Sequence, residues 1–131
     1  MYFCDKLRNS MVVEKNEAML LSEIIAKAMV SKKAENVIRM DLRKIRNRIC
    51  DCFVVCQGNS AVHIQTIRDA VIDEVRKAVG EKPWHVEGED KSEWLLVDYA
   101  NVVVHIFMEK TRKFYNIEDL WADAEITKFD N

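Results

Sequence analysis

The feature that most constrains this chain is Cys52-Phe53-Val54-Val55-Cys56, five consecutive apolar residues followed at once by Gln57-Gly58-Asn59-Ser60. An apolar run this short, bounded by a turn signal, reads as a strand buried on both faces. Ser60 is a natural N-cap, and behind it Ile64, Ile67, Val71 and Val75 recur at helical spacing. Gly80 and Pro83 stop that helix. The unit is therefore strand, turn, helix, with the helix covering a sheet.

The rest of the chain is read around that unit. Residues Asn16 to Val30 place Leu20, Leu21, Ile24, Ile25, Ala28 and Met29 on one apolar stripe, and Ser31-Lys32-Lys33 suits the end of that helix. A short strand is expected near Val37 to Leu42 and another near Trp84-His85-Val86. Trp94 to Tyr99 and Val102 to Met108 read as strands joined through Asn101, hence an antiparallel hairpin. A short helix follows over Glu109 to Tyr115, and Asn116 caps a further turn through Leu120-Trp121. The acidic tail, residues 122–131, is expected to pack loosely. The order α-β-β-α-β-β-β-α predicts an α+β (mixed α/β) fold: a twisted mixed sheet of about five strands flanked by helices. One domain spans residues 1–131, with its core at about 14–121.

Composition narrows function. Hydrophobic residues are 49% of the 131, enough for a real core, and the formal net charge is −2. A near-neutral chain cannot blanket nucleic acid with positive charge, which disfavours a general RNA or DNA binder. Local patches still permit docking on a ribonucleoprotein. No apolar run approaches the roughly 18 residues of a membrane helix. The opening Met1 to Lys6 has no core of signal-peptide length, so a cytoplasmic location is expected.

Four groups of residues could carry chemistry. Cys50, Cys52 and Cys56, with His63, His85 or His105, could ligate a metal. On one strand face, however, the three thiols spread over roughly 20 Å, too far for one ion. Together with Cys4, they are expected as reduced structural thiols, and no metal or cofactor is expected. Cys56 before the turn could be a nucleophile, but it has only scattered histidines to serve it. Gly58-Asn59-Ser60, opening a helix after a strand, resembles a nucleotidyltransferase phosphate turn. Such an enzyme also needs two carboxylates one residue apart, and the nearby strand offers Asp98 followed by Ala100. His105, paired at best with Asp98, reads more simply as a strand histidine.

Two other patterns concern binding. Trp94, Tyr99, Phe107, Phe114, Tyr115 and Trp121 crowd the last third. Phe107 and Phe114 are expected in the core, while Trp94 and Tyr99, at strand ends, are as well suited to docking a partner. Lys32, Lys33, Arg39, Arg43, Lys44, Arg46 and Arg48 gather in one third and could form a basic face turned to rRNA.

Three blocks carry a family resemblance. Asp51-Cys52-Phe53-Val54-Val55-Cys56-Gln57-Gly58-Asn59-Ser60 is similar to the D-Y-F-V-I-x-x-G-N-S block of the Iojap and ribosomal silencing factor family. Ser92 to Phe107 resembles its S-x-W-x-L-x-D-Y-G-D-V-V-V-H-I-F block, and Arg112 to Trp121 its closing R-x-F-Y-x-L-E-x-L-W. Ala100-Asn101 replaces the usual Gly-Asp, Cys52 a common Tyr and Cys50 a frequent Thr. The resemblance implies a nucleotidyltransferase-like fold without the catalytic carboxylates, and no enzyme activity. It implies docking on large-subunit ribosomal protein fourteen, steric exclusion of the small subunit, damped translation when nutrients run short, and a homodimer when free. Residue by residue, it assigns docking to Trp94, Asp98, Tyr99, Ala100, Asn101 and His105. The rival expectation is a degenerate nucleotide-binding protein using Gly58-Asn59-Ser60 and Asp98.

Overall fold

The structure, a computed structural model, describes the backbone of residues 2–88 and 92–129, with side chains from residue 17 onward. The Cys4 side chain and residues 1, 89–91 and 130–131 lie outside that description. Helix α1 (Tyr2–Ser31) leads to strands β1 (Glu35–Asp41) and β2 (Cys52–Gly58), then helix α2 (Ala61–Val79). Strands β3 (His85–Glu87), β4 (Trp94–Asp98) and β5 (Val102–Met108) follow, then helices α3 (Glu109–Tyr115) and α4 (Ile117–Leu120), and strand β6 (Glu125–Phe129).

The six strands form one mixed sheet in the order β3-β4-β5-β2-β1-β6. Only β2 and β5 pair in parallel; the other neighbours are antiparallel. All seven residues of β2 are buried, as a central strand covered on both faces requires. On one side Cys52, Val54 and Cys56 meet the stripes of α1 (Leu21, Ile25, Met29) and α2 (Ile64, Ile67, Val71, Val75). On the other, Phe53 and Val55 join Ile38, Met40, Val103 and Phe107, roofed by Ile117 and Trp121 rather than by a long helix.

The caps predicted at Ser60 and Gly80 are in place, whereas Asn116 makes no side-chain cap bond to α4 and instead ends α3 in a left-handed conformation at φ 48. Ser60 accepts from the His63 N–H at 3.0 Å, and Gly80 ends α2 at φ 73 with its N–H on the Arg76 carbonyl. Helix α1 ends with Lys33 at φ 63, while the Ala34 N–H reaches the Met29 carbonyl at 3.0 Å.

Four expectations are corrected. The first helix starts at Tyr2, well before Asn16. The sheet has six strands, not about five, because residues 125–129 do not pack loosely: they pair with β1 from Glu125↔Asp41 to Phe129↔Val37. Charge in the tail hid an edge strand whose one paired side supplies its backbone partners. The basic residues do not all lie on one exposed face. Arg39 points into the helix side and bonds Ser22, Arg43 is held bidentate by Asp41, Lys44 by Glu125 and Arg48 by Asp51. The cysteines do not share a face either. Cys52 and Cys56 enter the helix-side core, whereas Cys50 precedes β2 and packs with the opposite cluster. All three thiols are free, and burial pushes them up to about 12, 11 and 12 for Cys50, Cys52 and Cys56.

The hairpin turn between β4 and β5 keeps its left-handed residue although the residue there is alanine: Ala100 sits at φ 72. The Asp98 carboxylate accepts the Ala100 N–H at 2.7 Å, and the Asn101 carbonyl accepts from Asp51 and Cys52, so the turn is tied down from both sides. An L-residue in this region is strained by about 1–2 kcal/mol. Ala100 is exposed, so Ala100→Gly sacrifices no packing. After the entropy that glycine adds to the unfolded chain, it should still raise stability by about 0.5–1 kcal/mol, read as a higher melting midpoint. An unchanged or lower midpoint would show the turn is unstrained.

Candidate functional site

Along β4 the side chains alternate. Leu95, Val97 and then Tyr99 turn to the helix-side core, while Trp94, Leu96 and Asp98 lie on the other face. The partner strand contributes Val103, His105 and Phe107 to that same face. Pairing Trp94↔Phe107 and Leu96↔His105 places these four side chains together.

Trp94 stacks on Phe107 with ring centroids 5.0 Å apart and meets Tyr115 of α3 at 4.9 Å. Its indole Nε1–H donates to His105 Nδ1 at 3.1 Å. That bond makes Nδ1 the acceptor, so the neutral ring carries its proton on Nε2. Among the described residues the buried Nε2 has no hydrogen-bond partner, and the ring is edged by Phe53 at 4.7 Å between centroids. Burial depresses the His105 pKa from 6.5 to about 4, and the ring is neutral at pH 7.

Above this layer lies a groove of about 770 Å³ bordered by Glu93, Trp94, Lys110, Thr111, Phe114 and Tyr115. Thr111 holds the Glu93 carboxylate at 3.0 Å, which fixes α3 against the start of β4. Phe114 is 80% exposed and Tyr115 48%. A half-buried tryptophan braced from below, beside two exposed aromatic rings, has the make-up of a protein-docking hot spot.

The six sequence-assigned residues are thus divided. Trp94 presents surface, and Asp98, Ala100 and Asn101 form the turn four residues away on the same strand, roughly 13 Å along it. Tyr99 is 3% exposed and faces the helix side, and its hydroxyl has no hydrogen-bond partner among the described residues. His105 lies beneath Trp94 rather than beside it. Phe114, expected in the core, is on the surface, and Leu96 bridges Trp94 and Asp98. The alternation Trp94-Leu95-Leu96-Val97-Asp98 could have identified Leu96, since it marks one face.

The rival nucleotide site is not assembled. His63 fills the Gly58-Asn59-Ser60 turn: its Nδ1 accepts the Asn59 N–H at 3.1 Å and its Nε2 meets the Lys32 carbonyl at 2.8 Å. A Cβ on Gly58 would lie 2.7 Å from Ile64 and 3.0 Å from His63, so that glycine is used for close packing. Asp98 aligns with Val103 and thus with Phe53, whereas Gly58 aligns with Met108. The two halves of the proposed site are therefore roughly 16 Å apart along the sheet.

Comparisons with known proteins agree on one group. The family described as "Ribosomal silencing factor during starvation" matches residues 15–131. The ribosomal silencing factor RsfS of Bacillus subtilis (strain 168) is 36% identical over 108 residues, covering 82% of this chain and 90% of its own. A crystal structure of a Chromobacterium violaceum protein superposes with a TM-score of 0.74 at 27% identity, covering 79% of this chain and 85% of its own. One from Bacillus halodurans gives 0.69 at 29% identity, covering 86% and 99%.

Proposed function

This chain belongs to the ribosomal silencing factor family, and from that premise we propose that it represses translation by adhesion. It docks on the large ribosomal subunit through ribosomal protein fourteen and keeps the small subunit from joining, under nutrient limitation. The observation that carries this reading is the braced Trp94 with Phe114 and Tyr115 exposed beside it on the face that no long helix covers. The partner touches Trp94, Leu96, Asp98 and the Ala100-Asn101 turn. His105 and Tyr99 serve by holding that surface in shape. Rigid aromatic anchors lose little entropy on docking, and a bound obstacle needs no reaction to exclude a partner.

The experiment is sedimentation with purified large subunits through a sucrose gradient, followed by addition of small subunits. Wild type should ride with the large subunit and suppress joining. Trp94→Ala should bind at least about tenfold more weakly, with its fold verified by circular dichroism. Phe114→Ala, at an exposed position, tests the same face without touching the core. Undiminished binding by both variants would remove the assigned surface. A wild-type protein that stays at the top of the gradient would remove the whole reading.

A further inference from the structure

We propose that the cleft between β1, β6, α3 and α4 is a binding site for a small phosphate-bearing anion, with Arg112 as its floor. The cleft measures about 750 Å³, within the range of small-molecule sites. It adjoins the docking groove, with Lys113 bordering both.

Arg112 is only 8% exposed, yet its hydrogen bonding is incomplete. Its Nε donates to Glu118 Oε1 at 3.0 Å, and Nη1 to the Asn36 carbonyl at 2.8 Å and Gln57 Oε1 at 3.3 Å. Among the described residues Nη2 has no hydrogen-bond acceptor, and Arg112 lines the cleft. Three partners, from β1, β2 and α4, fix the guanidinium plane, so its free donors are oriented before any ligand arrives.

The backbone is shaped for the same purpose. Asn36 reaches Arg112 from a left-handed conformation, φ 50, at an irregularity of β1 between Glu35 and Ile38. Asparagine tolerates this conformation better than most residues, and it brings the Asn36 carbonyl onto Arg112.

Charge around the cleft favours an anion. Lys113 and Lys128 line it and are exposed. Lys113 also pairs with Glu109 at 3.1 Å, and Lys128 has no ion pair among the described residues. The opposing carboxylates are Glu118, already engaged by Arg112, and Glu35. A phosphate group carries more charge and more acceptor oxygens than a carboxylate and can answer Nη2 and the two ammonium groups together. The volume leaves room for more than the phosphate itself, so the source is inorganic phosphate or the phosphoryl group of a mononucleotide.

The test titrates the full chain with sodium phosphate, with AMP, and with sodium chloride at matched ionic strength, following amide and arginine side-chain NMR signals. Saturable shifts at Asn36, Gln57 and Arg112 are expected with phosphate, with AMP, or with both; the tighter of the two identifies the source. Lys128→Gln should weaken binding about two- to fivefold, and Glu35→Gln should tighten it by a similar factor. Both positions are exposed, so both variants fold. Shifts that chloride reproduces, no saturable shift with either anion, or binding indifferent to both variants would overturn the proposal.

Discussion

Phe107→Ala is expected to destabilise the fold by about 3–5 kcal/mol, the usual cost of emptying a fully buried phenylalanine site. Phe107 has no solvent exposure and is the largest of the completely buried side chains among the described residues. It sits on the sheet face roofed only by α3, α4 and the segment around Trp121, where no long helix can slide in to fill a void. Its ring carries Trp94 at 5.0 Å and lies stacked 6.0 Å from His105. Domains of this size are stable by about 5–15 kcal/mol, so the change removes a large share of the total. Urea unfolding should show the midpoint falling by on the order of 2 M with an unchanged slope. Phe114→Ala, at 80% exposure, should stay within about 0.5 kcal/mol of wild type. A loss below about 1 kcal/mol for Phe107→Ala would mean that this face is not packed as described. The same substitution should weaken ribosome docking at temperatures where the variant is still folded, because Trp94 loses its support.

Acid should loosen the molecule through His105. Protonating this ring puts a charge into a buried site and places a proton on Nδ1, which breaks the bond from Trp94. The folded-state pKa is about 4, against about 6.5 in the unfolded chain. Between these values the unfolded state binds more protons, so stability rises with pH across the window. The contribution is fully present above pH 6.5 and is lost as pH falls towards 4, to a maximum of about 3 kcal/mol. Asp41 and Asp73 have carboxyls lowered by Arg43 and Lys77 respectively. Their stabilising effect is lost only below their unfolded values, at more acid pH. Urea midpoints measured from pH 7.5 to 4.5 should therefore decline, and His105→Gln should flatten that decline. A histidine NMR titration for His105 with its midpoint near 6.5 would sink this expectation.

Much of the fold was legible in local pattern. The run Cys52 to Cys56, the cap at Ser60, the stop at Gly80 and the hairpin after Trp94 each depend on neighbours in the chain, and each stands where the residues predict. What failed depended on residues far apart. Ile126, Thr127 and Phe129 favour a strand, but the strand at 125–129 forms because β1 offers it an edge, which the local sequence does not reveal. The charges of Arg43, Lys44 and Arg48 look free in sequence and are mostly consumed by ion pairs.

The candidate site divides along the same line. By itself the sequence determined which residue types are present, the family blocks that contain them, and the alternation placing Trp94 and Asp98 on one face of a strand. These are properties of chain order and of the two-residue period of a strand. Only the tertiary structure decided which of them meet solvent. It put His105 under Trp94, turned Tyr99 inward, exposed Phe114 and filled the Gly58 turn with His63. Exposure and partnership are set by what packs across from a side chain, which for these residues lies on other strands and helices.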